Sequence, residues 1–128
     1  TINNIGNLSW LYKATDMKII RPDSNFHIWN TKMLRQLLID IKDTTNDINN
    51  YYYSIVGSST GINIKNQAYS ATIVKPLIKT FTCYWIQSGA INIKLAGKPD
   101  LLLDYGAGDC DNNASLTVND KTYNIILP

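Results

Sequence analysis

The segment LLLDYGAGDCDNN, residues 101–113, crowds Asp104, Asp109 and Asp111 around two glycines and Cys110. Three carboxylates so close in sequence are raw material for a hard-cation site, because calcium takes roughly six to eight oxygen ligands from carboxylates, carbonyls and water. The spacing departs from the alternating pattern of an EF-hand loop, and no glutamate stands nearby to close the shell. Asp104, Asp109 and Asp111 are therefore weak metal candidates. Asp104 and Asp109 would serve as the acid and base of a glycoside hydrolase only across a cleft at a set separation. Cys83 would act as a nucleophile only with the single histidine, His27, as its base and a third group to orient it. No complete catalytic constellation is present, so the chain is not expected to be an enzyme and no cofactor is expected.

A second kind of chemistry lies in the aromatic residues. Trp10, Trp29, Trp85 and the triplet Tyr51-Tyr52-Tyr53 offer flat rings that suit the apolar faces of pyranoses, although aromatics in small β domains more often fill the core. In a triplet on one strand, Tyr52 must face opposite to Tyr51 and Tyr53. Tyr52, Trp29 and Trp10 are the candidate ligand-binding residues. His27, in NFHIWN, reads as a partly exposed strand histidine and not as a ligand.

These side chains are positioned by a chain of 128 residues, a length that suits a single domain, 1–128, able to bury its own core. No linker, fixed-period repeat or low-complexity tract divides it. Twelve basic against ten acidic residues give a net charge of +2, and the lysines are scattered singly, so the electrostatic footprint of a nucleic-acid or membrane-surface binder is missing. No apolar run approaches the roughly 20 residues of a transmembrane helix. The sequence begins at Thr1 with neither Met nor a basic n-region, and a signal peptide, if one existed, is expected to have been removed. Two cysteines and one histidine are too few for a structural zinc site. The pair suits one disulfide in an exported protein or two inert thiols in a cytosolic one.

The dominant period along the chain is two. In TFTCYWIQSGAINIKLAG, Phe81, Cys83 and Trp85 alternate with Thr82, Tyr84 and Ile86, which predicts a strand; a second follows at Ile91, Ile93 and Leu95. SLTVNDKTYNIIL predicts a hairpin, Leu116 and Val118 facing Tyr123, Ile125 and Leu127 across an Asn119-Asp120 turn. INIKNQAYSATIV bends at Lys65-Asn66-Gln67, and Pro76 limits pairing at its own position. TTNDINNYYYSIVGSSTG supplies a polar turn, a short strand through Tyr51, Tyr53 and Ile55, and a second turn ending at Gly61. Residues 30–43 fit a helix with Met33, Leu34, Leu37, Leu38 and Ile41 on one face, or a strand in which Leu37, Ile39 and Ile41 alternate with Leu38, Asp40 and Lys42. The strand agrees better with the extended pattern elsewhere. Eight or nine strands joined by short turns imply an all-β antiparallel sandwich or barrel.

The second half of the chain resembles the C-terminal pattern of exported, often lipid-anchored proteins of Bacteroidota-type bacteria. The matching positions are Tyr69, Ala71, Thr72, Ile73, Pro76 and Leu77, then Cys83, Trp85, Ile86, Ser88 and Gly89. They continue through Leu103, Asp104, Tyr105, Gly106, Gly108, Cys110, Asp111, Asn112 and Ala114 to the closing hairpin. SIVGSSTG is similar to the family's Ile-x-Gly-Ser-x-Ser-Gly turn with Thr60 for the last serine, and Asn119-Asp120 stands where the family has Asn-Gly. The resemblance implies export, at the cell surface or outside the cell, or on a lipid anchor in the precursor. It implies a Cys83–Cys110 bond, with Gly106 and Gly108 allowing a reversal and Asp111 and Asn112 capping it. It brings no established activity.

Together these readings point to a non-enzymatic exported β domain, a structural or accessory part of a surface assembly. Its partners would be other surface proteins or its own copies, met through edge strands. A carbohydrate-binding module is the alternative, which would add a glycan as partner, and a hydrolase using Asp104 and Asp109 is the second. The N-terminal segment TINNIGNLSWLYKATDMKIIRP, poor in charge up to Lys13, is expected to form an edge strand or to pair with a partner.

Overall fold

The structure is a computed structural model and describes residues 2–6, 9–23, 26–39 and 51–128. Nine strands, β1 (Ile2–Gly6), β2 (Ser9–Ile20), β3 (Phe26–Ile39), β4 (Tyr51–Ile62), β5 (Ala68–Thr80), β6 (Ser88–Leu95), β7 (Leu101–Ala107), β8 (Asn113–Val118) and β9 (Lys121–Ile126), follow in chain order. Each pairs antiparallel with the next in one continuous sheet. The all-β antiparallel expectation is met. β1 and β9 are not hydrogen-bonded to each other, so the sheet is not closed into a barrel.

Residues 26–39 form a strand, not a helix; residues 40–43 of that reading lie outside the described residues. A lone amphipathic helix here would have to forgo two long ladders, because β3 pairs with β2 from Ser9–Gln36 to Ile20–Phe26 and with β4 from Ile28–Ile62 to Ile39–Tyr51. A fourteen-residue strand flanked by a ladder on each side outweighs the modest helix preference of Met, Leu, Arg and Gln.

Two sequence expectations are corrected. Residues 81–87 are not a strand: β5 ends at Thr80 and β6 begins at Ser88. The connection is held by Cys83 N–H donating to Thr80 O at 3.4 Å, Gln87 N–H to Ile78 O at 2.8 Å, and Thr80 N–H to the Gln87 side chain at 2.9 Å. Its alternating residues have a β pattern, but its hydrogen bonds are spent on closing the loop, with Cys83 tied to Cys110. SIVGSSTG is likewise not a turn, since β4 runs unbroken to Ile62. Gly57 there sits at φ +136°, and a Cβ would overlap Lys32 O and stand 2.7 Å from Met33 Cα. Its role is a close backbone approach beside an irregularity, between Ile55 and Ser58, in the register of β4 with β5. On the other side of β5, register shifts bracket Lys75 and include Pro76, as a residue without an N–H requires.

Two turns follow their sequence reading. Asn119 and Asp120 both take positive φ, 49° and 62°, the geometry of the tight primed hairpin. At the β4–β5 turn Asn66 has φ 60°, and the Asn63 carboxamide oxygen accepts from the N–H groups of Lys65 and Gln67.

The best-buried side chains belong to the second half: Leu77 on β5, Ala90 on β6, Ala114 on β8 and Cys83 in the β5–β6 loop. The cross-strand row Ile73–Ile91–Leu103–Leu116–Tyr123 crosses the same half of the sheet. A corresponding row, Trp10–Arg35–Ile55–Leu77, crosses the first half. Among the described residues no large side chain is fully buried.

Candidate functional site

The acidic loop closes the end of β7 and is built from local hydrogen bonds. Gly106 N–H donates to Asp104 Oδ1 at 2.8 Å, Asn113 N–H to Asp111 Oδ1 at 3.0 Å, and Asp111 N–H to Asp109 O at 3.1 Å. The first two are the turns that aspartate side chains make with amides two residues on, and the third joins main-chain groups. Asn112 ties the loop to the C-terminal end of the chain: its Nδ2 donates to Leu127 O, and Leu127 N–H donates to its carbonyl at 2.7 Å. Gln87 Nε2 reaches Gly108 O at 3.2 Å. Cys83, 3% exposed, and Cys110 form the disulfide, Cα atoms 5.8 Å apart. Gly106 and Gly108 sit at φ 100° and 129°, where other residues are strained.

Asp104, Asp109 and Asp111 do line one recess, of about 370 Å³, together with Tyr105, Asn113 and Asn124. Asp104 Oδ2 lies 3.8 Å from Lys75 Nζ. Among the described residues no three side chains of metal-ligating type are gathered closely enough to hold an ion. Burial pushes the Tyr105 hydroxyl above its ordinary pKa, because the phenolate loses hydration.

The aromatic candidates are dispersed. Tyr52 pairs with Leu38 and Thr80, and Tyr53 with Leu37 and Lys79, so Tyr52 faces away from Tyr51 and Tyr53 as expected. Trp29 lies six residues along β3 from Arg35, about 20 Å at strand rise, beside His27 with ring centroids 5.4 Å apart. His27 Nε2 and the Tyr69 hydroxyl are 2.7 Å apart. Gly61 leaves room for that tyrosine, since a Cβ there would meet Tyr69 Oη at 2.8 Å. His27 thus shares a hydrogen bond with Tyr69, while Cys83 is oxidised, so the pair cannot form a nucleophile and base.

Trp10 alone of the three candidates stands near a groove. Its ring lies 5.8 Å from the Arg35 guanidinium, which stacks on Tyr53 at 3.9 Å. Beyond Tyr53, Phe81 packs at 4.9 Å, and Lys79 Nζ stands 5.9 Å from the Tyr84 ring. Arg35, Tyr53, Lys79, Phe81 and Tyr84, with Thr80 and Thr82, line an open groove of about 890 Å³. Sequence reasoning missed Arg35, Lys79, Phe81 and Tyr84 as a group. A signal for Arg35 was present: read with period two, MLRQLLI places this one charged residue between Met33 and Leu37, on an otherwise apolar row. Comparison of the chain with family models, with curated proteins and with solved structures gave no match.

Proposed function

We propose that this chain is a non-catalytic β domain of the cell exterior that works by associating through the edges of its sheet, as an accessory part of a surface assembly. The observation that carries the reading is the open meander. Among the described residues β1 and β9 each have a neighbour on one side only, and the unpaired backbone groups of such strands are templates for another chain. β9 adds apolar surface to its edge, with Tyr123 52% and Ile126 70% exposed. Export is supported by the family resemblance and by a disulfide bond, which persists in oxidising compartments. Of the two carboxylates that a hydrolase would use, Asp104 is engaged locally with Gly106 N–H and Lys75.

The N-terminal edge is narrower than the segment suggested. β1 is the edge strand, but Ser9 to Tyr12 belong to β2 and pair with Gln36 to Met33 of β3. Removing residues 1–12 would therefore strip an internal strand as well, and residues 1–7 are the clean truncation. Sedimentation velocity over a concentration series tests the proposal on wild type, on a chain lacking residues 1–7 and on Ile126→Lys. Wild type should associate as concentration rises, and either change should abolish this while the melting midpoint moves by less than about 5 °C, as expected for edge substitutions outside the core. Wild type that stays monomeric, or edge variants that associate as wild type does, overturns edge pairing.

A further inference from the structure

A guanidinium on an apolar row of a sheet, with no ion-pair partner among the described residues, asks for an anion. Arg35 stands in the row Trp10–Arg35–Ile55–Leu77, and its Nε–H is buried without an acceptor. The neighbouring rings attract its charge through their faces but offer no counter-ion. Lys79, opposite Tyr53 in the register, brings a second cation to the same groove. Neither Arg35 nor Lys79 makes an ion pair among the described residues, and no carboxylate lines the groove. Two cations lining one groove with no carboxylate beside them among the described residues are the complement of a negatively charged ligand.

The remaining lining describes the body of that ligand. Tyr53 and Phe81 form a tilted pair, 39° between planes, and Tyr84, 78% exposed, stands at the rim. Flat rings of this kind cover the apolar face of a pyranose, while the hydroxyls of Thr80 and Thr82, 3.4 Å apart, can exchange their mutual contact for sugar hydroxyls. The groove is open and its volume, about 890 Å³, lies in the upper range of ligand sites, which suits a chain of more than one ring better than a small enclosed acid. We infer that the Arg35–Lys79 groove binds an acidic saccharide, a short run of pyranoses carrying carboxylates. Arg35 receives a carboxylate, Lys79 a second or the same one, and Tyr53, Phe81 and Tyr84 stack the rings. All of these residues lie on β3, β4, β5 or the loop that follows, away from the sheet edges, so the inference is independent of edge pairing.

Calorimetric titration of the full chain with trigalacturonate, with its fully methyl-esterified neutral form and with a hydroxycinnamate tests it. Trigalacturonate should bind, the ester at least tenfold more weakly, and added salt should weaken only the acid. Arg35→Gln and Lys79→Gln should each lose at least tenfold, whereas Tyr52→Ala, on the opposite face, should bind as wild type does. Should Arg35→Gln not fold, Lys79→Gln and Tyr84→Ala at the exposed rim carry the same prediction. Equal affinity for acid and ester would show that the cations do not read the ligand. Equal affinity for the hydroxycinnamate would remove the saccharide, and no binding of any of the three at millimolar concentration would remove the site.

Discussion

Breaking the Cys83–Cys110 bond tests how much of this sheet depends on a covalent staple. The cysteines are 27 residues apart; in the chain-entropy model a loop of that size restricts the unfolded state by about 3.5 kcal/mol. Cys83 is also nearly inaccessible, whereas Cys110 is exposed. Cys110→Ala removes the bond and leaves a sulfur in the core, so it should cost about 3.5 kcal/mol. Cys83→Ala with Cys110→Ala should cost about 1 kcal/mol more, from lost packing of the nearly inaccessible Cys83 side chain. Against the 5 to 15 kcal/mol typical of a domain, either loss is large and should lower the melting midpoint by roughly 10 to 20 °C. Urea unfolding followed by circular dichroism measures both. The slope of stability with urea should also rise, since the unfolded chain opens once the link is gone. A loss below about 1 kcal/mol for Cys110→Ala, with an unchanged slope, would refute the reasoning. The reversal at residues 104–111 would then be held by Asp104, Asp111, Asn112 and Gln87 alone.

Gly57→Ala should destabilise the fold by more than about 3 kcal/mol, because the added Cβ meets Lys32 O and the backbone is held at φ +136°; thermal melts against Gly97→Ala, which has positive φ but open space around it, separate the clash from the φ cost. Tyr105 gives a pH dependence: its folded pKa is raised by burial, so the folded state holds the proton more tightly than the unfolded one. Its contribution is fully present below the ordinary tyrosine pKa of about 10 and is lost as pH rises through the folded value. Tyr105→Phe should flatten the fall in stability above pH 10, measured by urea midpoints at stepped pH; an unchanged fall assigns the effect elsewhere.

The strand content of this protein is local information. Alternation of Ile91, Ile93 and Leu95, or of Leu116 and Val118 against Tyr123 and Ile125, follows from side chains leaving a strand on opposite faces, and Asn119-Asp120 marks its turn because few residue pairs tolerate two positive φ angles. The disulfide and the glycine reversal at residues 106–108 were expected only from a resemblance to exported proteins, and not from the residues alone. What sequence could not decide is where pairing stops. Phe81 to Gln87 alternate like a strand, yet their hydrogen bonds close a loop, and SIVGSSTG has turn residues, yet lies within β4. In both places the outcome depends on which backbone stands opposite: Lys32 approaching Gly57, and Cys110 reaching Cys83. The groove has the same origin. Arg35 and Tyr53 are far in the chain from Lys79, Phe81 and Tyr84, and only the register Arg35–Ile55–Leu77 and Tyr53–Lys79 sets two cations and three rings around one space, because cross-strand neighbours are chosen by ladder pairing and not by periodicity.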